Sequence, residues 1–181
     1  MKPWELIRFC PRCGAAANEA RAIPFRCASC AFTLFFNPVV GVAGLIRRPD
    51  GAILLVRRAK EPAKGKLGVP GGFVDFGETA EDALRREARE EVGLQLDAME
   101  FFLSYPNEYT YRDVTYGVLD LYFTARIGLH QSVAALDEVD SFVWQQPAEI
   151  QPDELAFPSL RHALRCYRER TASARPAAGF A

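Results

Sequence analysis

GFVDFGETAEDALRREAREEVGL, Gly72 to Leu94, packs a glycine-bounded loop, a helix start and a dense carboxylate cluster into 23 residues. Gly77 ends the loop, Glu78 and Thr79 open a helix, with Thr79 or the preceding turn supplying capping oxygens, and Gly93 closes it. Glu87, Glu90 and Glu91 stand at i, i+3 and i+4, so a rotation of about 100° per residue puts them on one side of the helix. Ala80, Ala83 and Leu84 fall on the same arc, whereas Arg85 and Arg89 point roughly opposite. The apolar arc is expected to pack on the body of the protein, so the carboxylates open into a cleft at its end. Like charges at these spacings cost roughly 0.2 to 0.5 kcal/mol per pair. A hard divalent cation such as Mg²⁺, which takes oxygen ligands and keeps waters for chemistry, offsets that cost. Taken alone, an E/R-rich helix reads more simply as a solvated charged face.

Outward from this stretch, 22 basic residues face 23 acidic ones among 181. That balance argues against a general nucleic-acid-coating function and leaves a local basic patch open. No stretch approaches the roughly 20 apolar residues of a membrane span, and MKPWELIRFCPRC lacks the apolar core of a signal peptide. A cytosolic protein is expected. In a reducing compartment Cys10-Pro-Arg-Cys13 and Cys27-Ala-Ser-Cys30 suit a tetrahedral thiolate site for structural Zn²⁺ better than two disulfides. The loops of this ribbon are too short to build a core, so the metal supplies most of its folding energy. It reads as a scaffold or dimer element rather than as a binding module. Cys166 stands alone on a C-terminal helix and reads as an inert thiol, and neither His130 nor His162 falls near a nucleophile pair.

Phe32, Phe35 and Phe36 are expected to pack the ribbon onto the next domain, and Asn37-Pro38 marks a boundary. Val39 to Ile46 reads as a buried strand, Pro49-Asp50-Gly51 as a turn and Ala52 to Val56 as its antiparallel partner. Seven basic residues against two acids give Arg47 to Lys66 a local balance of +5. Strand alternation makes Arg57 or Arg58 the best candidates to contact a substrate phosphate. Gly71 and Gly72 allow close approach of the backbone to a metal or ligand. Met99 to Tyr105 and Val114 to Arg126 read as strands, joined by a polar and aromatic hairpin region over 106–113. Singly, its tyrosines are strand-surface residues; as a cluster, Tyr105, Tyr109, Tyr111 and Tyr116 offer stacking faces for a nucleobase, worth roughly 1 to 3 kcal/mol per base. A carboxylate loop, Asp137 to Asp140, leads into a strand ending near Trp144, and Ser159 to Arg170 reads as a final helix followed by a frayed tail.

Gly72, Glu78, Arg86, Glu87, Ala88, Glu90, Glu91, Gly93 and Leu94 match the Nudix box, G-x5-E-x7-R-E-U-x-E-E-x-G-U with U apolar, at every fixed position. With the ribbon, Asn37-Pro38 and Leu155-Ala-Phe-Pro-Ser159, the chain resembles the zinc-ribbon Nudix group, which includes bacterial NADH pyrophosphatases and plant FAD pyrophosphatases. The resemblance covers roughly residues 7–170. It implies an α/β fold, a Nudix α/β/α sandwich with a mixed sheet over 37–170, preceded by a ribbon over 1–36 and followed by a flexible tail over 171–181. It implies hydrolysis of a nucleoside diphosphate linked to another group X, such as NADH, FAD or ADP-ribose, with Mg²⁺ or Mn²⁺. The Gly71 carbonyl, Glu87, Glu90 and Glu91 are the implied metal ligands, completed by Glu138, six residues before Trp144, or by Asp137 or Asp140. Glu90 is the favoured base, Arg86 steadies a box glutamate and Glu78 is structural. A homodimer is also implied. NADH pyrophosphatases carry Ser-Gln-Pro-Trp after the box, where this chain has Ser104-Tyr105-Pro106-Asn107, so the substrate stays open. The rival readings are a nucleoside triphosphate pyrophosphatase and a non-catalytic ADP-ribose or NAD sensor.

Overall fold

The structure is a computed structural model that describes residues 1–17, 23–128 and 131–173. His130 and residues 174–181, most of the expected tail, lie outside the described residues. The elements are β1 (Phe25–Arg26), β2 (Thr33–Leu34), β3 (Val39–Arg47), β4 (Ile53–Arg58), β5 (Leu67–Gly68), β6 (Gly71–Phe73), α1 (Ala80–Val92), β7 (Met99–Tyr111), β8 (Val114–Arg126), β9 (Val139–Gln145) and α2 (Pro158–Ser173). β1 and β2 form the ribbon's small sheet; β3 to β9 form a mixed sheet.

β3 is the axis of that sheet. The run VVGVAGLI is apolar without alternation, as suits a strand covered on both faces. β8 pairs with it in parallel over its whole length, from Val39 opposite Val118 to Arg47 opposite Arg126. On the other side the expected β3–β4 hairpin exists only at its turn, where Arg47 faces Ile53. Beyond that point β6 takes the place beside β3, with Ala43 opposite Gly71 and Gly41 opposite Phe73. β4 instead pairs with β5 and β9. The sheet therefore splays from a single junction, and the opening between its halves becomes the cleft described below.

The stretch 106–113 also differs from expectation. β7 and β8 continue as one long antiparallel ribbon, and the reversal is confined to Arg112 and Asp113, both at positive φ (44° and 67°), a two-residue hairpin turn. Pro106 is tolerated because β7 is the outer strand.

Two helices cover the two faces. On α1 the buried side is Ala83, Leu84, Ala88 and Val92, packed on Val42, Ile46, Leu54, Val56 and Phe123. Thr79 Oγ1 accepts the Asp82 N–H at 3.1 Å, and Gly93, left-handed at φ 71°, donates to the Ala88 and Arg89 carbonyls. On α2, Leu160, Ala163, Leu164 and Tyr167 pack on Leu45, Ile53, Leu55 and Tyr122. Each such leucine contributes about 1.5 to 3 kcal/mol by burial. α2 carries helix to Ser173, past the Arg170 limit expected from the sequence, with Thr171 Oγ1 donating to the Tyr167 carbonyl at 2.9 Å.

Among its described residues the ribbon buries only Cys10, Phe25 and Cys27, with Phe32, Leu34 and Phe36 half-covered around them. Phe35, just past the end of β2, does not join this packing and is 64% exposed. Trp4 meets Phe36 edge-on at 6.1 Å, and the Met1 backbone bonds to Asp113 and Thr115, tying the N-terminal end to the β7–β8 turn.

Candidate active site

A cleft of about 400 Å³ opens where the sheet splays. One wall is the acidic side of α1, against the Gly71–Gly72 turn of β6. A Cβ at Gly71 would stand 2.1 Å from the Val42 carbonyl oxygen, and one at Gly72 would stand 2.2 Å from Glu87 Oε1. Only glycine lets the helix carboxylates come this close to the backbone. The Gly71 N–H donates to Glu91 Oε2 at 3.0 Å.

Arg86 organises the wall. Its Nε and Nη2 grip both oxygens of Glu78 at 3.1 Å, its Nη1 donates to Glu87 at 2.8 Å and Glu90 at 3.3 Å, and Nη2 also reaches the Phe73 carbonyl at 3.1 Å. This fork geometry is available to arginine and not to lysine. Paired with Arg86 and accepting the Asp75 N–H, Glu78 is held below the usual carboxylate range. Glu87 is shifted upward, by burial first, with Arg86 opposing. Glu91 is pushed up to about 8, by burial first, with Gly71 opposing and Glu87 and Glu138 adding to the rise. Glu90 is half-exposed at the rim.

Glu138 enters from the loop before β9, where its φ is 58°, and its carboxylate also meets Lys60 Nζ at 2.8 Å. Asp137 lines the cleft beside it and Asp140 does not. Glu91 bears on whether these residues suit a cation: its carboxylate accepts one backbone N–H, stands near Glu87 and Glu138, and among the described residues makes no ion pair, with the Arg58 charge only partly offsetting its burial. Glu87, Glu90, Glu91 and Glu138 line the cleft together with the Gly71–Gly72 turn, and carboxylate and carbonyl oxygens are the ligand types that Mg²⁺ or Mn²⁺ takes.

The opposite wall sorts the other candidates. Arg58 lines the cleft, lying 5.0 Å over the Phe157 ring with Nε on the Pro62 carbonyl at 2.9 Å. Arg57, on the other face of β4, bonds the Gly65 carbonyl at 2.6 Å and does not line the cleft. Tyr109 lines it, 5.2 Å edge-on from Phe73 and 6.3 Å from Phe157. Tyr105 stacks on His162 at 4.0 Å, and Tyr111 is half-exposed beneath Arg112; neither lines the cleft. His162 Nε2 also lies 3.5 Å from Cys166 Sγ, one helical turn away, so the cysteine does have a histidine neighbour.

Sequence reasoning missed Phe157, Asn107 and Asp120. Phe157 reaches the cleft because Leu155 bridges to Leu67 and the Ala156 N–H donates to the Leu67 carbonyl at 2.8 Å. Asp120 accepts from Ser159 Oγ at 2.6 Å and Asn107 Nδ2 at 2.9 Å, and burial raises its pKa against those two bonds. The available signal was an aspartate inside the apolar run Val118-Leu-Asp-Leu-Tyr-Phe123.

In the ribbon the sulfurs of Cys10, Cys13, Cys27 and Cys30 lie within 4.8 Å of one another, with Cys10–Cys30 at 3.8 Å and Cys13–Cys27 at 3.7 Å. A tetrahedron with Zn–S bonds of about 2.3 Å has edges of about 3.8 Å, so the four thiols fit zinc. Among the described residues no helix is long and apolar enough to cross a membrane.

A family model described as the NUDIX domain matches residues 37–165. The chain is 48% identical over 63 residues to the ADP-ribose pyrophosphatase of Methanocaldococcus jannaschii, covering 35% of this chain and 37% of that protein. It is 31% identical over 101 residues to the NAD-capped RNA hydrolase NudC of Vibrio atlanticus, covering 55% of this chain and 37% of that protein. The chain thus spans 37% of the length of each of these two relatives. The crystal structure of a NUDIX hydrolase from Nitrosomonas europaea superposes with a TM-score of 0.66 over 94% of this chain and 96% of that one, at 23% identity, which establishes likeness of fold.

Proposed function

The chain belongs to the Nudix family, and from that premise we propose that it hydrolyses the diphosphate bond of a nucleoside diphosphate linked to a second group X, with Mg²⁺ or Mn²⁺ in the cleft. The observation that carries this reading is the convergence of Glu87, Glu91 and Glu138 on the Gly71–Gly72 turn. The Gly71 carbonyl, Glu87, Glu91 and Glu138 would hold the cation, with Glu90 as a further ligand or as the base. The bound ion lowers the pKa of a coordinated water and offsets phosphoryl charge. As the favoured base, the Glu90 carboxylate would accept the proton of a water that attacks one phosphorus, the second phosphate leaving with the bridging oxygen. Arg86 keeps Glu87 and Glu90 oriented, Glu78 anchors Arg86, and Arg58 offers its guanidinium to a substrate phosphate. Tyr109 and Phe157 supply faces for a base.

ADP-ribose is the first compound to try, since the Methanocaldococcus jannaschii relative carries that substrate in its name. We assign zinc in the ribbon a structural role. The family resemblance supports a homodimer, and four thiols grouped to suit a metal rather than disulfides support a cytoplasmic location. The net charge of −1 supports a small nucleotide, not bulk nucleic acid, as the partner.

A panel of ADP-ribose, NADH, NAD, FAD, diadenosine polyphosphates and dNTPs with Mg²⁺ or Mn²⁺, read by product mass, tests this. Release of a nucleoside monophosphate and a second phosphate-bearing half is expected. Release of pyrophosphate from dNTPs alone would assign the chain to triphosphate hydrolysis. Tight ADP-ribose binding without turnover would make it a sensor.

A further inference from the structure

Asp120 stands apart from the α1 glutamates, on β8 beneath the start of α2. It pairs in register with Gly41, two residues along β3 from Ala43, which faces Gly71. At about 3.3 Å per residue this places it roughly 7 Å along the strand from the row that carries the carboxylate turn. The donors around it converge on one oxygen. Oδ2 accepts from Ser159 Oγ at 2.6 Å and Asn107 Nδ2 at 2.9 Å, while Tyr122 donates its O–H to Ser159 Oγ at 3.0 Å, so the hydroxyl chain runs one way, toward the carboxylate. Among the described residues Oδ1 has no donor, and it is not a buried orphan: the one such atom is Gln145 Oε1. A Cβ at Gly41 would lie 2.6 Å from Oδ1, so only glycine opposite lets the carboxylate take this orientation.

Oδ1 is thus an acceptor fixed in direction, in the same cleft as the Tyr109 and Phe157 rings. Turning the carboxylate to hide it would break both bonds to Oδ2. An acceptor held this way welcomes an exocyclic N–H and repels an exocyclic oxygen. Asn107 keeps a second amide hydrogen beside it, and an acceptor next to a donor complements the amino group and N1 of adenine. We propose that Asp120 Oδ1 reads the exocyclic amino group of the substrate's nucleobase and selects adenine over hypoxanthine. This rests on the reading of the chain as a nucleoside diphosphate-X hydrolase.

The test compares kcat/KM of the wild-type protein with Mg²⁺ on ADP-ribose and on its hypoxanthine counterpart, which differs only at the base. About a 10- to 100-fold preference for adenine is expected, the size of one hydrogen bond to a charged group. Asp120→Asn presents an amide that can donate to O6, and brings the ratio within about threefold of unity or inverts it, an effect that general loosening of the fold does not produce. A wild-type ratio within about twofold, or a D120N protein that keeps the wild-type ratio, overturns the assignment. Affinities for AMP and IMP, measured by calorimetry, decide it independently of turnover and of the variant's folding. Hydrolysis of neither compound counts against the diphosphate reading, while equal AMP and IMP affinities count against Asp120.

Discussion

The chain gathers four thiols in the ribbon and a row of carboxylates in the cleft, and the two groups are built on opposite plans. In the ribbon, four thiols lie within 4.8 Å of one another on two short knuckles, enough to fill all four positions of a tetrahedral ion. In the cleft, carboxylates line one wall of a space of about 400 Å³ and leave room for water and a substrate. Their surroundings differ in the same sense. Among the described residues the ribbon buries three, two of them cysteines, so a metal bound there would be its staple. The α/β domain has two large apolar clusters, one on each face of the sheet, and its acidic wall has a cation of its own in Arg86. A metal holding the ribbon together and a metal taking part in a reaction in the cleft would thus meet different ligands, different openness and different support.

The contrast can be broken most sharply at Glu91. Glu91→Gln is expected to lower Mg²⁺-dependent turnover on the order of a thousandfold, at 1.36 kcal/mol per tenfold, with unchanged zinc content and no loss of thermal stability. Steady-state rates and calorimetry on one preparation check both halves. Next comes Arg86→Lys, which keeps a charge and loses the fork that grips Glu78, Glu87 and Glu90; a fall of about 10- to 100-fold in kcat is expected, with KM little changed. Cys27→Ser should abolish stoichiometric zinc and melt the ribbon while reducing turnover less than about tenfold, because the ribbon's ligands are not those of the cleft. Elemental analysis and amide exchange report the first effect, and kinetics the second. The smallest effect is at Glu78. Its carboxyl is held below the ordinary 4.5 by Arg86, so its contribution to stability is present above that value and is lost as pH falls through the folded value. Glu78→Gln should flatten this acid-side slope in denaturant titrations between neutral and acid pH.

Legibility divided along the same line. The helix caps at Thr79 and Gly93, the glutamate face of α1 and the cysteine knuckles were readable because each depends on spacing within one short segment. Nothing local announced that β6 would displace β4 beside β3, since that is a pairing choice between strands far apart in sequence. The tyrosines of β7 show a further limit. Tyr105, Tyr109 and Tyr111 alternate onto one face, yet Tyr109 alone of the three lines the cleft. Tyr105 is taken up by His162 of α2 and Tyr111 lies beside the hairpin turn. Arg57 and Arg58 were separated by the same alternation that proposed them as alternatives. Asp120 acquires meaning only from Ser159, 39 residues away, and from the glycine opposite.

The most direct test of the two-plan account is Mn²⁺ binding followed by electron paramagnetic resonance in the zinc-loaded protein, wild type against Glu91→Gln. The account predicts Mn²⁺ bound to the wild type, weakened about 10- to 100-fold by the substitution, with zinc undisturbed in both. Equal Mn²⁺ isotherms for the two proteins would contradict it.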